Sequence, residues 1–424
     1  MKKRPAWLDP RSPIVKRVAR PVLDFLDTEV GGGIVLVVAT VVAMLWANSP
    51  WSDSYFDLWE QVGTAGIGSF DLSLDLRHWI NDGLMTLFFF VVAMEIKREL
   101  VDGELSDPKK AALPALAAVG GMVAPALIYL AFASGETTGR GWGIPIATDI
   151  AFAVGVLALI ARNAPPAIRV FLLTLAIVDD IGAILVIAIF YSNSLSPTAL
   201  AISLVSLGII VVARQAGVRP ISVYVALGTA CWVAMVESGI HPTISGVAVG
   251  LLTPARPLRD EDEPLTVRLT DRLHPYTSFI VVPLFALANA GIRLSPSDIP
   301  DALTSKVGVA VAAGLVVGKV AGVTGASFIA VKSGLATLPG GIGFKDIASV
   351  SALAGIGFTV SIFITNLAFE NEALQTQAKV GIIAASICAA AIGTGLAKWG
   401  PNLGETSAPD DQGDRGQPIE PGAR

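Results

Sequence analysis

The chain has 424 residues, of which 53% are hydrophobic and only 15% charged, against roughly 25% charge in soluble globular domains. That balance excludes an ordinary soluble enzyme or binding module, and the formal net charge of −5 is informative only through where the charges sit. Apolar runs near membrane-spanning length recur from Ile34 to Leu396 without the apolar/polar alternation of a β-barrel, so the expected class is an all-α polytopic membrane protein.

Residues 1–30 form a basic-leaning arm with Lys2, Lys3, Arg4, Arg11, Lys16, Arg17 and Arg20. No cleavable signal peptide is evident, and the arm runs into a first span over Ile34 to Ala47. Asn48 to Arg77 is polar and aromatic. Its alternating stretch Phe70-Asp-Leu-Ser-Leu-Asp-Leu76 predicts a β-hairpin outside the membrane, within an outer segment 49–77. Further spans are expected at Trp79–Leu100, Ala111–Phe132, Trp142–Ala161, Leu173–Phe190, Ala199–Ala213, Ile221–Val236 and Thr243–Leu252, the last too short to cross without tilt or a re-entrant form. Pro254 to Pro275 reads as a charged loop. Spans at Tyr276–Ala290, Val307–Ala330, Ile347–Phe369 and Ala378–Trp399 follow, for about 12 in all. Residues 31–399 thus form one membrane domain, and residues 400–424, rich in Gly, Pro, Asp and Gln, are expected to be disordered. Cys231 and Cys388 lie inside apolar runs and read as small core residues, neither a disulfide nor a metal site. Lys and Arg concentrate in alternate loops, which with an even number of spans places both termini in the cytoplasm.

Four ionisable residues fall deep in the spans: Asp149, Asp179, Asp180 and Lys319. Unpaired, they would cost roughly 10–14 kcal/mol together on membrane-insertion scales, as much as the whole stability of a typical domain, about 5–15 kcal/mol. They must therefore compensate one another or reach water. Asp179 and Asp180 sit mid-span between Leu, Ile, Val and Ala. Adjacent helical positions point about 100° apart, so one acid is expected to face a buried cation and the other the transported species. Two spans look broken. Gly143-Ile-Pro-Ile-Ala-Thr-Asp149 combines a helix-breaking Pro with a Thr-Asp pair able to cap a restarted helix, and Gly355-Ile-Gly-Phe-Thr359 breaks with Gly. Broken helices at membrane depth line cavities or are buried in protein. Asp149 and Lys319 are suited to neutralise their positive and negative ends. One break in each half of the chain is a pointer to a transporter binding site. The glycines of Gly314-Leu-Val-Val-Gly318-Lys-Val-Ala-Gly322 read as close helix packing.

These stretches resemble the NhaA family of bacterial sodium/proton antiporters. The resemblance is carried by Ile80-Asn-Asp-Gly-Leu-Met-Thr-Leu-Phe-Phe-Phe90 with Glu95-Ile-Lys-Arg-Glu99, Pro145-Ile-Ala-Thr-Asp-Ile-Ala-Phe152, Ala176-Ile-Val-Asp-Asp-Ile-Gly182, Ser238-Gly-Ile-His-Pro-Thr243, Pro283-Leu-Phe-Ala-Leu-Ala-Asn-Ala-Gly291, Gly318-Lys319 and Gly355-Ile-Gly-Phe-Thr-Val-Ser-Ile-Phe363. They span the chain from about Val30 to Trp399 in the family's order. The resemblance implies inverted-topology repeats with two broken helices crossing at the midplane. It implies Na⁺ at Asp180 and Asp179, with Asp149 and Thr148 beside them and Lys319 paired with Asp179. It further implies pH regulation through Glu95, Arg98, Glu99 and His241, a homodimer joined through the outer hairpin segment 49–77, and a bacterial inner-membrane location. Where the family often carries an acid before its Leu-His-Pro turn, this chain has Thr270, with Asp271 one place on, so the pH network is expected to be rewired.

The chemistry that follows is competition between H⁺ and Na⁺, or Li⁺, for oxygen ligands of Asp179 and Asp180, aided by Asp149 or Thr148, with Na⁺ exported and no cofactor and no nucleic acid involved. Because more than one group can lose a proton per Na⁺ bound, the exchange is expected to be electrogenic. The function so implied is control of intracellular pH and sodium. The rival readings are a related cation-coupled carrier of another solute, a passive cation channel, and an intramembrane aspartyl protease. The protease reading lacks its usual Gly-x-Gly-Asp context, and no His-Glu-x-x-His zinc motif is present.

Overall fold

A computed structural model describes residues 29–399 apart from 68–69, 161–164, 193–194, 219, 258–262 and 295–297. The basic arm, almost entirely, and the tail 400–424 lie outside the described residues. The helices are α1 (Glu29–Ala47), α2 (Ser52–Glu60), α3 (Leu76–Asp102), α4 (Pro108–Phe132), α5 (Ile150–Ile160), α6 (Pro166–Phe190), α7 (Pro197–Gln215), α8 (Ile221–Val236) and α9 (Thr243–Leu252). They continue with α10 (residues 265–289), α11 (Asp298–Thr304), α12 (Lys306–Lys332), α13 (Phe344–Leu353), α14 (Phe358–Ala368) and α15 (Glu372–Trp399). Strands β1 (Val62–Ile67) and β2 (Phe70–Asp75) pair antiparallel, Val62 opposite Asp75 and Ile67 opposite Phe70. By length and composition, six described helices can cross a membrane, or up to nine if each of three bent pairs is one span. The chain is an all-α polytopic membrane protein with one small hairpin.

Local signals account for several helix starts. Pro occupies the first turn of α4, α6 and α7, where its missing N–H costs nothing. The Asp107 carboxylate accepts from Lys109 N at 2.9 Å, and Ser305 Oγ from Gly308 N at 2.9 Å, each satisfying a free donor of the first turn.

Three expectations need correction. The stretch before Pro275 is not all loop. Leu265–Tyr276 is helical and runs on through a π turn, Thr277–Val281, into Val282–Asn289. Pro275 removes one backbone donor without ending the helix, and the widened turn that follows lies just before Pro283, where that proline's ring meets the preceding turn. The segment 49–77 holds more than a hairpin, because Ser52–Glu60 forms a helix bent 112° from α1 that buries Tyr55 and Trp59. Cys231 is buried, but Cys388 is exposed on α15 and does not belong to the core.

Glycines set the closest helix contacts. At Gly318 an added Cβ would lie 2.7 Å from Pro125 Cα, and at Gly322 it would run into the Gly120 backbone. Only residues without side chains let α12 pack this closely on α4, and this packing carries Lys319 into the centre of the bundle. At Gly246 and Gly250 of α9 a Cβ would strike the carbonyls of Thr86 and Phe90, which seats the short α9 directly on α3.

Candidate ion-binding site

Two chain breaks meet at the middle of the molecule. A 3₁₀ segment, Thr138–Ile146, is followed by α5 at an angle of 44°, and α13 is followed by α14 at 52°. Pro145 and the Gly355-Ile-Gly357 turn interrupt them, as their residue types dictate. The backbone N–H of Asp149 donates to the Ile356 carbonyl at 2.7 Å, so each break supplies a hydrogen-bond partner to the other.

The free ends of these half-helices are buried and are capped by charges of opposite sign and by hydroxyl groups. Asp149, 2% exposed, accepts from Phe152 N at 3.0 Å in the first turn of α5. Its other oxygen accepts from Thr359 N at 3.0 Å and from Thr359 Oγ1 at 2.6 Å in the first turn of α14. One carboxylate therefore serves two positive helix ends. At the negative ends, Lys319 Nζ donates to the Ile146 carbonyl at 2.7 Å, and Thr148 Oγ1 lies 2.9 Å from the Ala354 carbonyl.

Lys319 also reaches Asp179 Oδ2, at 2.5 Å, with both side chains fully buried, and Thr148 Oγ1 stands 2.7 Å from the same oxygen. Lys319 thus offsets Asp179 and a helix end together. The pair is an ion bridge in low dielectric, where loss of either partner leaves an uncompensated charge. The other oxygen, Asp179 Oδ1, is buried without a partner. Asp180 is 4% exposed, and among the described residues its carboxylate accepts no hydrogen bond from the protein. Buried oxygens are nearly always paired. Two neighbouring carboxylates with unclaimed oxygens are therefore a ligand set for a hard cation or for protons, since hard cations take oxygen ligands.

The remaining sequence-selected residues lie elsewhere. Glu95 and Glu99 on α3 are half-buried and Arg98 is exposed; Glu99 Oε1 accepts from Glu104 N at 2.8 Å. Leu265–Tyr276 of α10 packs on α3 with Thr270 buried and Asp271 exposed. His241, in the turn before α9, is within 2.8 Å of Thr243 Oγ1 and 3.4 Å of Asp82 Oδ1. Burial pushes its imidazole down to about 3, which keeps the ring neutral at neutral pH.

Some partners were not singled out from sequence. Thr359 stood in a quoted motif, yet its bond to Asp149 across the two breaks is visible only in three dimensions. Lys97 Nζ donates to the carbonyls of Leu251 and Thr253 at 2.6 Å each, and Arg214 to that of Leu252 at 2.7 Å, so two cations from α3 and α7 hold the negative end of α9. Asn81, Asn289 and Asn366 form an amide cluster, with Asn289 Oδ1 accepting from Asn366 Nδ2 at 2.8 Å. Polar residues inside apolar stretches were the available signal for the three asparagines.

Among the described residues, no group of three or more His, Cys, Asp or Glu is placed to hold a metal ion. The family model described as Na+/H+ antiporter 1 matches residues 23–396. The Na(+)/H(+) antiporter NhaA 3 of Frankia alni is 44% identical over 408 residues, spanning 89% of this chain and 88% of that protein. The NhaA antiporters of Serratia proteamaculans (375 residues aligned) and Vibrio cholerae (376 residues) are each 45% identical, over 88% of this chain and 96% of theirs. Similarity of this extent, over nearly the whole chain, leads to one conclusion: the chain belongs to the Na+/H+ antiporter 1 family, with the NhaA antiporters among its relatives.

Proposed function

We propose that the chain performs the sodium/proton antiport of its family by alternating access to the Asp179-Asp180 doublet. The carrying observation is the contrast within the doublet: Asp179 is bound to Lys319 and Thr148, while Asp180 has no protein partner among the described residues. In the proton-loaded state Asp180 holds a proton. Na⁺, or Li⁺, displaces it and takes Asp180 oxygens with the unclaimed Asp179 Oδ1. A cation arriving there competes with Lys319 for Asp179, so the Lys319 ammonium is a second source of a proton. Release of more than one proton per Na⁺ makes the exchange electrogenic, and the membrane potential, worth about 2.3 kcal/mol per charge per 100 mV, then drives Na⁺ export. Asp149 and Thr148 hold the half-helix ends around the ion and reach it when the breaks rearrange.

The rest of the reading supplies the setting. Twelve spans are reached by adding α8, α9 and the apolar part of α10 to the nine segments that meet length and composition, arranged as inverted repeats with the two breaks crossing at the midplane. Both termini face the cytoplasm of a bacterial inner membrane, and the hairpin faces outward, where it joins two protomers. Glu95, Arg98 and Glu99 on α3, with His241 and Asp271, set the pH of activation, Thr270 having taken the buried place beside α3. The exchange regulates internal pH and sodium.

The test is a ΔpH-driven Na⁺ flux in proteoliposomes over a pH series. Saturable uptake is expected, with an apparent Na⁺ affinity that falls, for each unit the pH is lowered through the range where the doublet is protonated, by roughly tenfold for every proton displaced. Na⁺ flux independent of ΔpH, or Na⁺ movement only with a second solute, would contradict antiport.

A further inference from the structure

The half-helix α14 is hydrogen-bonded near its two ends to different parts of the molecule. Its start belongs to the ion site: Thr359 is bonded to Asp149, and Ser361 Oγ donates to the Ile144 carbonyl at 2.8 Å. Further along, Asn366 Nδ2 donates to Oδ1 of Asn289, the last residue of α10, at 2.8 Å. At 1.5 Å per residue, Thr359 and Asn366 stand about 10 Å apart along the helix. The far end of α14 thus reaches α10 and, through Asn289, α3. Neither of those helices contributes Asp149, Asp179, Asp180 or Lys319.

Asn289 joins the three helices. It is buried, and its amide group is fully used. Its Oδ1 accepts from Asn366 and from Asn81 Nδ2, the latter at 3.2 Å; its Nδ2 donates to Asn81 Oδ1 at 2.8 Å and to the Phe285 carbonyl at 2.9 Å. One turn nearer the ion site, the buried ring of Phe363 closes the same seam. Its centroid lies 5.4 Å from that of Phe89 on α3, 6.0 Å from that of Phe285 on α10 and 5.1 Å from that of His241 before α9. Elsewhere α14 packs mainly on the 3₁₀ segment Thr138–Ile146 and on α15, whereas α3 packs mainly on α9 and α10. The seam lies toward the hairpin end: Asn81 is in the second turn of α3, directly after β2, and Gly291 N, just past Asn289, donates to Tyr55 Oη of α2 at 3.2 Å.

The bonds across the seam join neutral amides. Such groups exchange protein partners for water at small net cost, and parting them leaves no buried charge uncompensated. The phenyl rings beneath offer no oxygen to a dehydrated cation, so the closed seam obstructs passage on this side. The Gly355-Ile-Gly357 turn behind α14 carries two residues without side chains, which gives the half-helix a place to swing.

We propose that Asn81, Asn289, Asn366 and Phe363 form a latch that shuts the doublet off from the hairpin side, and that the latch parts when α14 swings away from α3 and α10. This deepens the alternating-access reading above and rests on it. The four are positioning residues and do not touch the ion.

The experiment pins the latch shut. Asn81→Cys and Asn366→Cys are combined in the full-length protein with Cys231→Ala and Cys388→Ala. The pair is bridged with a short bis-methanethiosulfonate and released with dithiothreitol. ΔpH-driven Na⁺ exchange in proteoliposomes is expected to fall on bridging to the level of protein-free liposomes and to return on reduction. Proton release on Na⁺ addition in detergent is expected to persist in the bridged protein, because the doublet stays intact and reachable from the other side; a merely structural injury would remove both signals. Exchange that continues at the reduced rate after bridging overturns the latch, and so does loss of proton release along with exchange. Should the reduced pair be inactive, Asn289→Cys with Asn366→Cys carries the same readout. No exchange by the unmodified protein, before any bridge is made, marks a failure of the antiport reading and overturns the latch with it.

Discussion

At the scale of single residues, the division of labour within the doublet governs what substitutions do. Asp180→Asn is expected to abolish collapse of ΔpH on Na⁺ addition in everted vesicles, because an amide cannot exchange a proton; wild-type rates would place the site elsewhere. Lys319→Ala leaves Asp179 buried without its partner, a loss of typically about 3–5 kcal/mol, and lowers the melting temperature along with transport. Lys319→Gln combined with Asp179→Asn removes both charges and should recover much of that stability. A double variant as unstable as the sum of the singles would show that the 2.5 Å contact is not the stabilising one. His241 has its own signature. Its folded-state value near 3 lies below the ordinary 6.5, so between those values the unfolded chain binds the extra proton and stability falls as pH falls. His241→Gln should flatten the decline in melting temperature below about pH 6.5; an identical slope in the variant would remove His241 as its source.

At the scale of elements, the broken spans show how much the residues announce. Pro145 and Gly355-Ile-Gly357 mark the breaks because their backbone chemistry is local. The deep charges are conspicuous because nothing else in those runs is charged. Neither signal reveals that Asp149 caps α5 and α14 at once, since that pairing joins segments about 200 residues apart in the chain. Nor does any pattern mark Lys97 and Arg214, whose partners are backbone carbonyls of α9. The helix before Pro275 escaped for a related reason: a charged stretch between prolines reads as a loop, and its packing on α3 appears only in the folded chain. The double cap is testable. Asp149→Ala removes acceptors from two helix starts, each cap contributing about 0.5–2 kcal/mol, and should cost about 1–4 kcal/mol of stability. Thr359→Val removes one of these bonds and should cost less; an equal or larger loss would mean that the hydroxyl, not the carboxylate, holds the α14 end.

At the scale of the molecule, glycine-mediated packing of α12 on α4 and of α9 on α3 gives close helix pairs, while the two breaks between them are held by a few polar bonds that an ion can exchange. The hairpin lies apart from this core, and its deletion should convert a detergent-solubilised dimer to monomer while leaving transport measurable; an unchanged dimer would remove it from the interface. The central claim is that Na⁺ and H⁺ compete for the Asp179-Asp180 oxygens. Proton release on Na⁺ addition to the purified full-length protein, in weak buffer at a pH where transport is active, reads that competition directly. The account predicts release of at least one proton per protein from the wild type and its loss in Asp180→Asn. Undiminished release from Asp180→Asn, or none from an Na⁺-transporting wild type, would contradict it.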